Sequence, residues 1–172
     1  RSGAIVSLSP VESIYADLAN GDIDATEWVG PYQDYQLKLH EVARYYYYPG
    51  WHEPGSVLEI FVNKGIFQKL PGDLQQIIRT AASRSNLWML SAFEAKNNVY
   101  LRKLVTEHKV QLKRFPDDVL ERFKEYTREV LADLTARDAM SKKVYDSYDT
   151  FRRKVYDWAE TSQKAYYSCI SE

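Results

Sequence analysis

Two short stretches of this sequence combine a glutamate with a tryptophan between proline and glycine residues. Glu27 and Trp28 lie in the first stretch, and Trp51 and Glu53 lie in the second. Hard cations such as Na⁺ and Ca²⁺ bind several oxygen ligands, including carboxylates and backbone carbonyls. The carboxylates of Glu27 and Glu53 and the carbonyl of Trp28 therefore form a candidate cation site, provided that the fold brings the two stretches together.

The same side chains allow two other interpretations. Paired carboxylates on either side of a sugar ring, with Trp28 and Trp51 as stacking surfaces, suit a glycoside hydrolase that uses Glu27 and Glu53. Alternatively, both glutamates are simply solvated in loops. His52 could contact a ligand or play a structural part. These alternatives stay open on the residues alone.

Several classes of function lack their usual signals. The three histidines have no zincin-like spacing, and the sequence contains neither a glycine-rich phosphate loop nor a nucleophile elbow. Lys and Arg total 23 against 24 for Asp and Glu, so no basic surplus favours nucleic acid as a partner. The single cysteine, Cys169, cannot form an internal disulfide.

The elements around the first stretch are predicted to alternate between strand and helix. Residues 4–8 are short and apolar, and a helix is expected to begin at Pro10, capped by Ser9, and to end at Asn20-Gly21. Residues 23–25 follow as a brief strand. Because ligands bind beyond the carboxyl ends of strands in open α/β sheets, Glu27 and Trp28 would be well placed for binding.

The middle of the chain is predicted to contain two strands and two helices. We expect one helix over 31–42, strands over 44–48 and 57–62, and a long helix from Pro71 to about His108. The tyrosines of the first of these strands would point alternately to its two faces, two into the core and two toward a cleft or solvent. The apolar positions expected on the buried side of the long helix are Leu74, Ile77, Ile78, Ala81, Ala82, Trp88, Ala92, Ala95 and Val99.

The C-terminal third is predicted to be mainly helical. A short strand over 110–115 precedes a helix that begins at Pro116-Asp117-Asp118. The apolar stripe expected on that helix consists of Val119, Leu120, Phe123, Val130, Leu131 and Leu134. A last helix over 139–169 carries a heptad-like seam, formed by Val144, Tyr148, Phe151, Val155, Trp158 and Ser162. That seam either packs on its own domain or forms a homodimer contact.

Residues 23–32 (IDATEWVGPY) and 45–55 (YYYYPGWHEPG) resemble the solute-binding proteins of tripartite ATP-independent periplasmic (TRAP) transporters, in particular the branch that binds 2-oxo acids. The similarity extends over nearly the whole chain. It implies an α/β fold, namely the C-terminal part of a two-lobe periplasmic binding protein (type II-like) with long C-terminal helices. It also implies a receptor without chemistry of its own, in the periplasm.

The resemblance also implies roles for individual residues. Glu27 and Glu53 would each give a carboxylate to a ligand-bridging Na⁺ or Ca²⁺, and Trp28 would give its carbonyl. Trp28, Glu53, Tyr48 and Trp51 would line the site of a small 2-oxo acid such as pyruvate, or of a lactate-like acid. The solute would then pass to the TRAP membrane permease subunits.

The same resemblance implies how the chain is divided between lobes. Residues 1–30 would end the second α/β lobe, residues 31–70 would return toward the first lobe, and residues 71–172 would brace both. The sequence enters a predicted strand without a start methionine. We therefore expect a fragment, with the N-terminal lobe, a ligand-clamping arginine and a glutamine of the cation site encoded upstream.

Overall fold

The structure is a computed structural model that describes residues 1–51, 55–56 and 58–170. The chain divides into two compact units, which are treated separately below. One unit is Ile5–Pro116, and the other combines Arg1–Ala4 with Asp117–Glu172.

The described residues of the first unit form four α-helices and one turn of 3₁₀-helix. They are α1 (Val11–Asn20), α2 (Pro31–Gln36), the 3₁₀ turn (Leu39–Glu41), α3 (Lys64–Lys69) and α4 (Gly72–Thr106). Helix α1 ends as predicted, because Gly21 adopts a left-handed conformation with φ 76°. Its start differs slightly from the prediction: Pro10 is the N-cap residue, and no side chain caps the helix.

Two short parallel strands complete the first unit. β1 (Tyr45–Tyr48) pairs with β2 (Gln111–Arg114), and Tyr46 lies opposite Leu112. The pairing continues at both ends, where Gln111 N–H donates to the carbonyl of Arg44 and Phe115 N–H donates to the carbonyl of Tyr48. Both strands were predicted. Helices α3 and α4 lie in the crossover that a parallel pair requires.

The buried apolar residues of this unit come from α1, the 3₁₀ turn, α4 and the residue before β2. Its buried apolar side chains are Ile14, Leu39, Met89, Leu104 and Val110. Leu104 is the most completely enclosed, with 2% of its surface exposed. The long helix was predicted correctly, but its buried side was not, because Leu74, Ile77, Trp88 and Val99 are exposed while Met89 and Leu104 are buried.

The second unit consists of helices. α5 (Asp117–Arg137) begins with two acids at its N-terminus, and α6 (Ala139–Ala159) is capped by the Asp138 carboxylate, which accepts from Ser141 N–H. A π-helical turn (Glu160–Lys164) leads into α7 (Ala165–Ile170). Arg1 pairs with Glu129 and Asp133 of α5. The stripe predicted for α5 is only partly covered, since Val130 and Leu134 are exposed.

Three predicted strands are absent from the described residues. Residues 4–8, 23–25 and 58–62 have no strand structure, and Val57 lies outside the described part of the chain. A strand needs a neighbouring strand for its backbone hydrogen bonds, and β1 and β2 are the only strands that pair in the described residues. Most side chains of these segments are consequently exposed, Phe61 to 89%, although Ile23 is partly buried.

The single helix predicted over 31–42 is also wrong. Helix α2 ends at Gln36, and Lys38 adopts a left-handed backbone with φ 57° before the 3₁₀ turn begins. Lys38 N–H donates to the carbonyl of Tyr35, which closes the turn. No helix in the described part of the chain combines the length and apolarity needed to cross a membrane.

Candidate functional site

The first predicted stretch forms an irregular loop between α1 and α2. Glu27 is exposed and Trp28 is partly buried. The Thr26 hydroxyl donates to the carbonyl of Glu27 at 3.3 Å. The loop ends at Gly30, the N-cap residue of α2, and Pro31 occupies the first helical turn, where its missing N–H costs nothing.

Helix α4 holds the end of this loop. The Asn97 side-chain oxygen accepts from Tyr32 N–H at 3.2 Å, and a Cβ added to Gly30 would lie 3.3 Å from the same oxygen. A Cβ at position 30 would crowd Asn97, which would have to move by a few tenths of an ångström. The backbone itself would not oppose a side chain, because the φ of 166° is ordinary extended backbone. Lys96 adds a hydrogen bond to the Tyr32 hydroxyl at 3.2 Å.

A buried carboxyl group joins α2 to the small sheet. Asp34 is only 8% exposed, and its Oδ2 accepts a 2.5 Å hydrogen bond from the hydroxyl of Tyr46 on β1. The other oxygen, Oδ1, is buried and has no hydrogen-bond donor among the residues that the structure describes. A buried polar atom without a partner is uncommon and calls for an explanation.

The electrostatics of this pair extend to Glu27. Burial raises the pKa of Asp34, and the negative charge of Glu27 raises it further. The Tyr46 hydroxyl and the backbone N–H groups of Val29 and Gly30 lower this pKa, although neither N–H bonds to Oδ1. Burial and the charge of Asp34 likewise raise the pKa of Tyr46. Negative charge is thus concentrated between the loop and β1, where a cation would offset it.

The tyrosine run does not divide its rings as predicted. Tyr46 is the most buried of the four, whereas Tyr45, Tyr47 and Tyr48 are all exposed. Tyr47 stacks on Phe115 with 5.0 Å between ring centroids. Successive side chains of β1 still point to opposite faces of the sheet. Because the short two-stranded sheet leaves much of both faces uncovered, this alternation does not place every second ring in the core.

An aromatic cluster supports the other end of α2. Tyr35 stacks on His40 at 4.9 Å and meets Tyr100 of α4 at 5.0 Å, and the His40 and His108 rings lie 4.1 Å apart. A cavity of about 210 Å³ opens beside the two histidines. None of the predicted ligand residues that the structure describes is among the residues that line this cavity.

The described residues place part of the predicted site. Trp28 lies at the start of α2, whereas Tyr48 ends β1 and Trp51 follows it, with Trp51 exposed. The Asp34–Tyr46 hydrogen bond joins these two regions. Glu53, predicted as both a metal and a ligand residue, lies outside the described residues, as does His52.

A hard cation is compatible with the donors present. Glu27 provides a carboxylate and Trp28 a carbonyl, both from the loop that precedes α2. The described residues alone contain no group of three His, Cys, Asp or Glu side chains arranged for a metal. Carbonyl oxygens and Glu53 would therefore have to supply part of the coordination.

Three residues of this site were not predicted: Asp34, Tyr46 and Asn97. Asp34 lies in the first turn of a helix, where acids commonly complement the dipole, so nothing in the sequence indicates burial. Tyr46 is one of four consecutive tyrosines, so the sequence does not distinguish it from its neighbours. Only the three-dimensional contacts distinguish them.

The chain is similar to proteins of one bacterial family. Residues 1–138 match the DctP family, described as bacterial extracellular solute-binding protein, family 7. The monocarboxylate 2-oxoacid-binding periplasmic protein of Nostoc sp. strain PCC 7120 is 34% identical over 171 residues, which are 99% of this chain and 47% of that protein.

Two crystal structures are also similar. A TRAP periplasmic solute-binding protein from Colwellia psychrerythraea with bound calcium and pyruvate matches with a TM-score of 0.92 and 33% identity, over 98% of this chain and 51% of that one. A TRAP transporter solute-binding protein from Bordetella bronchiseptica RB50 matches with a TM-score of 0.85 and 29% identity, over 92% of this chain and 47% of that one. It is a mixed-occupancy dimer with copurified calcium and picolinate in one active site and an apo second site.

This chain thus spans about half the length of the relatives it matches. The predicted fold class, the C-terminal part of a two-lobe α/β binding protein, is confirmed by these neighbours. The family consists of binding proteins and not enzymes. The chain belongs to the DctP family of bacterial extracellular solute-binding proteins, the solute receptors of TRAP transporters.

Proposed function

We propose that this chain is part of a periplasmic receptor that binds a small 2-oxo or 2-hydroxy carboxylate together with a cation and delivers it to TRAP permease subunits. The observation that carries the proposal is the similarity, over 98% of the chain, to a structure with bound calcium and pyruvate. Calcium is the favoured cation because both structural relatives contain it. Sodium is the alternative.

Each predicted residue has a role in this proposal. Glu27, Glu53 and the Trp28 carbonyl would hold the cation, and the Trp28 ring, Tyr48, Trp51 and Glu53 would line the organic acid. A bound cation supplies the positive charge that lets several anionic groups be buried together. The charge of Glu27 contributes to the raised pKa of Asp34, so the two carboxyl groups interact. A cation near Glu27 would offset this repulsion, which supports Glu27 as a cation ligand.

Calorimetry with the protein as its gene encodes it tests this proposal. We expect pyruvate to bind in the presence of Ca²⁺ and to lose affinity when the ion is chelated. Glu27→Gln combined with Glu53→Gln should weaken Ca²⁺ binding by more than about a hundredfold, since loss of an outer-shell partner alone typically costs ten- to a hundredfold.

The control for that experiment is Glu12→Gln. Glu12 is an exposed glutamate in the first turn of α1, so its replacement removes one surface charge without touching the site. We expect its affinities to equal those of the wild type. Pyruvate affinity that is the same with and without any cation would contradict the proposed mechanism, and replacing Ca²⁺ with Na⁺ identifies the ion.

We further propose that residues 1–30 end one lobe, that residues 31–70 return toward the other, and that residues 71–172 brace both. The unpaired apolar segments 5–8 and 58–62 support this arrangement, because both have strand-like composition. In a complete receptor, these segments would pair with strands from the part of the relatives that this chain does not cover.

We also propose a homodimer contact through α6. Its seam is exposed at Val144, Tyr148, Phe151, Val155 and Trp158. Monomeric proteins seldom leave such a continuous apolar surface in water. The Bordetella relative is a dimer, which favours a second copy of the chain as the covering surface.

A further inference from the structure

The hydrogen bond between Asp34 and Tyr46 connects the two regions that carry the proposed ligand residues. Asp34 lies one turn into α2, which directly follows the loop of Glu27 and Trp28, whereas Tyr46 is on β1, two residues before Tyr48. The 2.5 Å bond is charge-assisted when Asp34 is ionised, and such bonds are among the strongest in proteins. Its position therefore allows it to fix one region against the other.

On the loop side, Asp34 is coupled to the main chain. Asp34 N–H donates to the carbonyl of Gly30 at 2.9 Å, and the backbone N–H groups of Val29 and Gly30 face its carboxylate. A shift of this carboxyl group would displace the backbone that follows Trp28. On the strand side, Tyr46 and Tyr48 are two positions apart and point to the same face of β1.

The pair has few ways to compensate for a broken bond. Asp34 is 8% exposed, and its Oδ1 already has no hydrogen-bond donor among the described residues. Loss of the Tyr46 hydroxyl would leave Oδ2 without this donor as well. A buried carboxyl group that has lost its partner is costly, so the surrounding backbone would move to reach water or another donor.

We propose that Asp34 and Tyr46 are positioning residues, which hold the Glu27–Trp28 loop in register with β1 so that the proposed cation ligands are preorganised. This inference rests on the receptor function proposed above. Neither residue is assigned as a direct ligand of the cation. A loop that is already ordered loses less conformational entropy when the cation binds. Loss of the Asp34–Tyr46 bond should therefore weaken cation binding more than it weakens binding of the organic acid.

The test is Tyr46→Phe in the protein as its gene encodes it, with Tyr45→Phe as the matched control. Both changes remove one hydroxyl from neighbouring tyrosines on the same strand, but Tyr45 is exposed. We expect Tyr46→Phe to weaken Ca²⁺ binding about tenfold, within the range found for outer-shell partners of metal sites. Pyruvate affinity at saturating Ca²⁺ should change by less than about twofold, because the bound ion then orders the loop.

A double-mutant cycle identifies the route of the effect. Asp34→Asn removes the charge and replaces one acceptor oxygen by an NH₂ group. If the two residues act through their shared bond, the double variant should lose much less Ca²⁺ affinity than the product of the two single losses. Independent, multiplicative losses would contradict a shared positioning role.

The outcomes separate this inference from the proposed function. Wild-type protein without any cation-dependent pyruvate binding would overturn both. Suppose that Glu27→Gln abolishes the cation-dependent binding, while Tyr46→Phe and Tyr45→Phe have the same Ca²⁺ affinity. That result would overturn the positioning role alone. Tyr46→Phe could instead lower the melting temperature and weaken Ca²⁺ and pyruvate binding by similar factors. That result would mean that the bond merely supports the fold, and it would also overturn the positioning role.

Discussion

His40 shows at the scale of one residue how packing changes chemistry. Its ring packs against those of Tyr35 and His108, and its Nδ1 is buried without a hydrogen-bond partner among the described residues. Burial lowers the pKa of His40, and the neighbouring charges of His108 and Lys38 lower it further, while Glu41 opposes them. The folded protein thus favours the neutral imidazole.

This lowered pKa should make stability depend on pH. Between the lowered pKa and the ordinary value of 6.5, the unfolded state binds more protons than the folded state, so stability falls as the pH is lowered through that window. We expect the free energy of unfolding to be smaller at about pH 5.5 than at about pH 7.5. Denaturant titrations at both pH values measure the difference.

His40→Phe provides the comparison, since it keeps a ring against Tyr35 but does not titrate. Its unfolding free energy should change less between the two pH values than that of the wild type. An identical pH dependence in both proteins would show that His40 does not contribute. Asp34 illustrates the opposite case, because burial and the nearby charge of Glu27 raise its pKa and so favour its protonated carboxyl group.

At the scale of elements, predicted strands that are present in the structure resemble in composition those that are absent. β1 and residues 58–62 are both rich in β-branched or aromatic residues, yet only β1 is a strand. The difference is the presence of a partner, because β1 pairs with β2 while residues 58–62 have no neighbouring strand. Strand propensity describes fit to a half-buried surface and does not supply that surface.

Substitutions in residues 58–62 test whether this segment is covered in the complete receptor. Ile60 is 61% exposed in this chain and shares a face with Leu58 and Val62 if the segment becomes a strand. We expect Ile60→Ala to destabilise the gene-encoded protein by about 2–5 kcal/mol, as for a buried isoleucine. Urea unfolding followed by circular dichroism measures this change.

Glu59→Ala is the matched control, since Glu59 is adjacent and would lie on the opposite face. Its effect should stay within about 0.5 kcal/mol, as for most surface substitutions. Similar small effects of both changes would mean that the segment stays exposed, and the proposed pairing with the other half of the receptor would be wrong.

For the whole molecule, the seam on α6 is a long exposed apolar surface in the second unit. Phe151 and Trp158 are both more than half exposed, and they lie on one side of the helix with Val144 and Val155. The charged residues of α6 form local pairs on other sides, such as Lys142 with Asp146. The helix is therefore amphipathic, with an apolar side that nothing in its own unit covers completely.

Phe151→Glu should dissociate the proposed homodimer. A charge in the middle of an apolar interface must be desolvated without a partner, which opposes association strongly. Sedimentation velocity of the gene-encoded protein should give a dimer for the wild type and a monomer for Phe151→Glu. Lys142→Glu, on the opposite side of α6, should remain dimeric. A monomeric wild type would exclude this contact.

The sequence by itself determined the family, the fold class and most helices. Local signals were sufficient for these features: Gly21 ends α1, Pro116 and two acids begin α5, and the tyrosine run becomes β1. The Glu27–Trp28 motif likewise identified a solute-binding protein, because its residue types and order resemble one family. These features depend on neighbours along the chain.

Only the tertiary structure decided which predicted strands form, where α2 ends, and which residues support the candidate site. Asp34 of α2 and Tyr46 of β1 meet through a hydrogen bond between elements that are separate in sequence, and a side chain at position 30 would crowd Asn97 of α4. Such contacts join residues far apart in sequence, whereas propensity and periodicity report only local preference. The physical cause in each case is burial, which sets the hydrogen-bond partner, the pKa and the permitted side-chain size together.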